Sequence, residues 1–199
     1  MNARPSNQTT YEALYAIAAQ QAGYFTAAQA KSVGFSQRQL SYYVKTGRFT
    51  RVKTGLYRLA FFPSSPHEDL FVAWLEIGPK AVISHESALA LYELSDVLPG
   101  EVHVIVPPTT SRRHGGVRLH TSRLSPDEVD RMAGLPVTSV PRTIADVAIS
   151  GLADELVIQA VRQAVQQGLA TAASLLTCAH HRGGRMQNLV DQALRETTA

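Results

Sequence analysis

The stretch from Tyr24 to Leu59 constrains this 199-residue chain more than any other. Thr26 stands as an N-cap before Ala27, Ala28, Gln29, Ala30 and Val33, and Gly34 supplies the left-handed residue that ends so short a helix. Ser36 opens another helix almost at once, with Leu40 and Val44 four apart to face inward, Tyr43 beside them and Gly47 at the end. From Phe49 to Leu59 apolar and polar residues alternate around Thr54-Gly55, which predicts a β-hairpin. Upstream, Tyr11, Leu14, Ile17 and Ala18 mark one face of a scaffold helix that closes near Gly23. Helix, turn, helix and hairpin in this order predict a winged helix-turn-helix.

Charge agrees with that reading. Met1 to Ala60 holds eight Lys or Arg (Arg4, Lys31, Arg38, Lys45, Arg48, Arg51, Lys53, Arg58) against Glu12, a net of +7. The whole chain is only +3, so residues 61–199 carry a net of −4. A basic front attracts polyphosphate through counterion release, and the remainder has no general reason to do so. The expected DNA-binding residues are Ser36, Gln37, Arg38, Ser41, Tyr42 and Lys45 on the recognition helix, with Arg48, Arg51, Lys53 and Thr54 around the wing. Phe49, Tyr57 and Leu59 are expected to pack on the helices, leaving Arg51, Lys53 and Arg58 to approach the DNA backbone. Many charge runs only solvate a surface. The order of elements is more specific than the count of charges.

A single cysteine, Cys178, makes no internal disulfide and asks for no oxidising compartment. No apolar run approaches the roughly 20 residues of a bilayer span, and the first ten residues lack a signal-peptide core. The expectation is a cytoplasmic protein without a membrane partner.

Ser64-Ser65-Pro66 reads as a joint between a domain at 1–62 and a second at 63–199. Ser65 is the expected cap of a helix with Pro66 at its first position, Glu68 and Asp69 in its first turn, and an end at Gly78. Ala81 to Ile83 reads as a buried strand, and Ser84 as the cap of a helix carrying Leu89, Leu91, Tyr92 and Leu94. Glu101 to Val106 and Val117 to Thr121 both alternate, which suggests an antiparallel hairpin; Val129 to Met132 with Leu135 to Thr138 suggests another. From Asp154 the pattern is helical, with a stripe of Leu156, Val157, Ala160, Val161 and Ala164, then helices at 172–179 and 185–195. The predicted class is α+β: the winged module, then a mixed α/β domain with a small, mainly antiparallel sheet and C-terminal helices.

Little in the chain supports catalysis. His85-Glu86 begins like a zinc-protease helix, but Leu89 stands where the second histidine belongs, so His85 reads as a first-turn residue with a local hydrogen bond. Cys178, His180 and His181 are zinc-type ligands close in sequence, without a second ligand pair elsewhere. There is no phosphate-binding Gly-Lys-Ser/Thr loop, no Gly-x-Ser-x-Gly elbow and no Asp-x-Asp pair. No catalytic residue, metal or cofactor is expected. Arg112, Arg113, Arg118 and Arg123 lie in or beside a turn-rich loop, where they either meet an anionic partner or are balanced by nearby acids. Arg142 and Asp146, four apart, read as a helix-end ion pair.

Three segments in order, Ile83-Ser84-His85-Glu86-Ser87-Ala88-Leu89, Glu101 to Pro107, and Gly134 to Asp146, together with the winged module, resemble the AbiEi family over roughly residues 10–150. These are antitoxins of AbiE-type toxin–antitoxin pairs, usually grouped as type IV. The resemblance implies a winged helix that binds inverted repeats in its own promoter and represses transcription, with a second domain that supports antitoxicity. It implies two partners: double-stranded DNA and a nucleotidyltransferase-like toxin that need not form a stable complex with the antitoxin. No coiled-coil seam demands a dimer, so a monomer or weak dimer cooperating on DNA is expected. Longer proteins with this front end in a Vsr-like endonuclease. None of Lys31, Lys45, Lys53 or Lys80 has an acid two positions before it, so that domain is read as absent. The alternative function is a stand-alone repressor whose rear domain senses a small ligand.

Overall fold

A computed structural model describes residues 7–108 and 115–197. The chain forms two compact units, residues 1–79 and 80–199. Among the described residues no helix is long and apolar enough to cross a membrane.

In the front unit, α1 (Asn7–Ala19) and β1 (Tyr24–Thr26) lead into α2 (Ala27–Ser32) and α3 (Gln37–Lys45). β2 (Phe49–Lys53) and β3 (Leu56–Leu59) form the wing. Both short helices begin at a capping box. Thr26 Oγ1 accepts from Gln29 N at 3.1 Å while Gln29 Oε1 accepts from Thr26 N at 2.8 Å, and Ser36 and Gln39 repeat the exchange at 3.2 and 2.9 Å. Two of the N–H groups that each helix start leaves without a partner are thereby satisfied. Gly23 takes φ of 84°, and a Cβ there would stand 2.6 Å from the Phe62 side chain, so the turn after α1 demands glycine.

The structure adds a strand that the sequence pattern hides. β1 pairs antiparallel with β3, giving a sheet of order β1-β3-β2. Three residues are too few to show alternation, and the partner lies about thirty residues downstream. Leu14, Ala18, Phe25, Phe35, Leu40, Phe49, Tyr57 and Leu59 fill the core beneath. Phe49 is its hub, edge-on to Phe25 at 4.9 Å and stacked with Tyr43 at 5.0 Å.

α4 (Glu68–Ile77) belongs to the front unit, so the compact units divide beyond the joint expected at 62/63. It is tied there through Glu68, which accepts from Tyr24 Oη at 2.9 Å and Arg58 Nη2 at 3.0 Å. Its start lies at Glu68 with His67 as N-cap, so Pro66 is not its first residue. Ser65 N instead donates to Glu68 Oε1 at 3.2 Å, and Ser65 Oγ accepts from His67 N.

The rear unit is built on a five-stranded sheet of order β6-β5-β4-β8-β7. β4 (Val82–Ile83) runs antiparallel to β5 (Val102–Val106) and parallel to β8 (Leu135–Thr138). α5 (His85–Leu91) follows β4 directly. β5 and β6 (Val117–Thr121) are parallel, with Val102 opposite Val117, which corrects the antiparallel hairpin expected from their alternation. Alternation reports which face is buried, not direction. The ten residues between the strands are enough to return along a five-residue strand of about 17 Å. β7 (Val129–Met132) and β8 do form the expected hairpin, turning at Ala133-Gly134 with φ of 51° and 89°, the two positive values of a type I′ turn.

α6 (Val140–Ser150), α7 (Asp154–Gln166), α8 (Ala172–Arg182) and α9 (Gly184–Thr197) complete the unit. Val157, Ala160, Val161 and Ala164 are buried as the stripe requires. The class is α+β, as expected.

Candidate nucleic-acid interface

The box at Ser36 sets where α3 begins, and Leu40, 1% exposed, sets which face turns inward. The opposite face then carries Gln37, Arg38, Ser41, Tyr42 and Lys45, all exposed, with Ser36 exposed at the N-cap. Tyr42 is 61% exposed, its ring edge-on to Tyr43 at 5.8 Å, so an aromatic surface stands amid donors and cations. Ser41 Oγ donates to Gln37 O at 3.0 Å and keeps its lone pairs outward. These side chains include donors for phosphate oxygens and for the acceptor edges of bases.

Arg48 is exposed, its guanidinium 5.5 Å above the centre of the Tyr43 ring. In the wing, the pairing with β3 shifts between Arg51 and Lys53, a bulge that leaves Thr50, Arg51, Val52 and Lys53 all exposed behind buried Phe49. Thr54 is exposed at the turn. The ten residues expected from the sequence to meet DNA thus all lie on the surface of one module.

Two wing cations are already engaged. Lys53 Nζ is 2.7 Å from Glu76 Oε2, with the lysine side chain 47% exposed. Alternation alone leaves Arg58 to approach a DNA backbone, but in the structure it is bound within the front unit. Its Nη2 donates to the carbonyls of Phe62 and Pro63 and to Glu68, each at 3.0 Å, and its guanidinium lies 5.5 Å from the Tyr24 ring. It fastens α4 to the sheet. The Tyr24 hydroxyl is pushed up to about 12 by burial and by its bond to Glu68, while that bond first, then Ser65 N and Arg58, hold Glu68 below its ordinary range.

The rear candidates separate differently. Arg112 and Arg113 lie outside the described residues. Arg118 and Arg123 are exposed, and Arg118 stands 3.9 Å from Glu101. Cys178, His180 and His181 are not gathered: Cys178 Sγ is turned to Pro141 O at 3.5 Å, and His180 Nδ1 lies 3.4 Å from Gln187 Nε2. Arg142 and Asp146 form more than a helix-end pair. Arg142 Nε donates to both Asp146 oxygens at 2.8 and 2.9 Å, Nη1 to Glu128 Oε1 at 2.9 Å and Nη2 to Ser122 Oγ at 3.1 Å, with Arg142 and Asp146 both buried. Arg182 donates to the same Glu128 oxygen at 2.8 Å.

What the sequence missed is a group of three histidines, His85, His103 and His120, brought together on β5, β6 and the start of α5. Its only local trace is one histidine in each of two strands, interrupting the apolar run at Val102-His103-Val104 and taking a polar position of the alternation at Leu119-His120-Thr121.

A three-stranded winged module with an exposed, cation-rich second helix is the architecture of a winged-helix regulator. The family match is to the AbiEi antitoxin transcriptional regulators, whose model matches residues 12–60. The match lies on the winged module, whereas the segments between Ile83 and Asp146 that carry the resemblance in sequence fall outside it. It supports a role in transcription regulation within a toxin–antitoxin system. Among solved structures, the Rv2827c protein of Mycobacterium tuberculosis is similar in fold, with a TM-score of 0.55 at 11% identity, covering 97% of this chain and 78% of that one. Among curated proteins none matches significantly in sequence.

Proposed function

We propose that this protein is an antitoxin that also represses its own toxin–antitoxin operon, and that it is not an enzyme. The observation that carries the reading is the uncovered polar face of α3 beside a basic wing, on a module that matches the AbiEi regulators. In this reading α3 enters the major groove of promoter inverted repeats, where Gln37, Arg38, Ser41 and Tyr42 meet base edges. Ser36, Lys45, Arg48, Arg51, Lys53 and Thr54 hold the sugar-phosphate backbone. The partner of the rear unit is a nucleotidyltransferase-like toxin, counteracted with or without a stable complex, and Arg118 and Arg123 are candidate contacts. The protein acts in the cytoplasm as a monomer or weak dimer that cooperates on DNA.

Fluorescence anisotropy with the operon's upstream DNA tests the first half. Binding is expected to be specific, with an affinity that falls as salt rises. An affinity independent of salt overturns the mechanism. Co-expression with the neighbouring gene tests the second half: the full chain is expected to restore growth to cells poisoned by that gene product. No rescue overturns antitoxicity while leaving repression standing.

A further inference from the structure

β5 and β6 run parallel with His103 opposite Arg118 and Ile105 opposite His120, so His103 and His120 share one face of neighbouring strands. β4 leads to Ser84, whose N–H donates to His103 O at 3.0 Å, and His85 follows with φ of 51°. A left-handed backbone is uncommon for a non-glycine residue and concentrates at functional sites. Here it accompanies the His85 ring lying flat on His120, with centroids 3.5 Å apart and planes inclined by 13°. The His103 ring is centred 5.2 Å from His120 and 5.9 Å from His85. One nitrogen from each of the three rings lies within 4.8 Å of the others.

Two of the buried side-chain polar atoms without a hydrogen-bond partner among the described residues fall in this cluster. His103 Nδ1 and His120 Nε2 are buried without a hydrogen-bond partner, a state rare enough in native proteins to need a cause. His85 Nδ1, by contrast, is 3.0 Å from Ser84 Oγ. Donation from Nδ1 to that hydroxyl leaves the lone pair on Nε2, as an outer partner does for a ligating histidine.

We propose that His85, His103 and His120 form a three-nitrogen site for a divalent first-row transition ion of the zinc type, with its fourth position beside the half-buried His120. Imidazole nitrogens suit zinc, cobalt, nickel and copper, whereas magnesium and calcium require oxygen ligands. Metal–nitrogen bonds of about 2.0–2.1 Å in a tetrahedron place the nitrogens about 3.4 Å apart, so on binding the nitrogens draw together while the stacked His85 and His120 rings tilt out of parallel to aim both in-plane lone pairs at one ion. Arg118 shares the face and opposes a cation, but its side chain is 60% exposed and leans towards Glu101, and Glu86 and Glu101 act on His103 in the opposite sense. The ion joins the start of α5 to β5 and to β6, the strand at one end of the sheet. It is a fastening for that edge.

The test uses the full chain, stripped with chelator and titrated with cobalt(II) followed by visible absorbance, then with zinc in competition against a chromophoric chelator. Saturation at one ion per chain, absorption bands of a four-coordinate cobalt site and a zinc-dependent rise in melting temperature are expected. His120→Gln should weaken binding by more than about a hundredfold, beyond the 10–100-fold typical of losing an outer partner. The double substitution His180→Gln with His181→Gln should leave it unchanged. Absence of saturable binding, undiminished binding in His120→Gln, or loss in the His180/His181 variant overturns the site. Should His120→Gln fail to fold, imidazole nitrogen resonances of the unsubstituted chain decide: zinc shifts those of His85, His103 and His120 together, or the proposal is wrong.

Discussion

The two units use arginine in opposite ways. In the front unit Arg38, Arg48 and Arg51 stand in solvent on or beside α3 and the wing. In the rear unit Arg142 is 4% exposed and shared among Asp146, Glu128 and Ser122. An exposed guanidinium contributes little to stability and remains available to an anionic partner. A buried, fully bonded one is committed to the fold and is costly to disturb. Arg58 shows that charge alone does not decide which use applies. It lies in the basic module yet behaves as a rear-type arginine, because α4 brings Glu68 against it.

That contrast breaks first at Arg142. Replacing it with methionine strands the buried Asp146 carboxylate and leaves Glu128 to Arg182 and Ser125, and unfolding by denaturant is expected to show a loss of about 3–5 kcal/mol. Specific binding of promoter DNA by the folded fraction should persist. A loss below about 1 kcal/mol removes the distinction between the two uses. The converse is the double substitution Lys45→Ala with Arg51→Ala. Each lost phosphate contact lowers the salt slope of log K by about 0.9, so anisotropy should show a slope shallower by about two and weaker binding on every sequence. Melting should show stability within about 0.5 kcal/mol for each change.

Smaller effects sharpen the comparison. Ser36→Ala removes the acceptor for Gln39 N and is expected to cost about 1 kcal/mol in the front unit, read as a shift in its denaturation midpoint. Acid acts on both units in the same direction. At Glu128 burial raises the pKa, but hydrogen bonds from Ser125 and Arg142 prevail and hold it below the ordinary 4.5; Glu68 is likewise lowered, chiefly by the Tyr24 hydroxyl. A carboxylate depressed in the folded state contributes stability that is complete above the unfolded value and is lost as pH falls through the folded one. Stability measured from pH 6 downwards should therefore begin to decline near 4.5. Glu128→Gln should flatten that decline by the rear share and Glu68→Gln by the front share. An unchanged acid profile in both variants excludes these carboxylates as its source.

How far the sequence revealed the molecule follows from distance along the chain. Thr26 with Gln29 and Ser36 with Gln39 are partners three residues apart, and both helix starts were legible as caps. The outward face of α3 followed from Leu40 and Val44 by the helical period alone. The first strand was not legible, because Tyr24 to Thr26 gains its character from Arg58, Tyr57 and Leu56. The direction of β6 was hidden for the same reason. Arg142 with Asp146 was visible at a spacing of four, but Glu128 and Ser122, which turn the pair into a buried network, belong to other elements. The histidine cluster is the extreme case, since strand register and one left-handed residue at His85 bring its members together.

The capping boxes carry a consequence for the potential that an approaching phosphate meets. In both front boxes the reciprocal acceptor is a glutamine, whereas Ser125 in the rear unit uses Glu128 for the same bond. A carboxylate closes the box as well as an amide does. At about 8 Å it would also repel a phosphate by about 0.5 kcal/mol even in bulk water. With glutamine, α3 is anchored by a neutral group, and its N-terminal partial positive charge reaches outward undiminished by a carboxylate of its own cap.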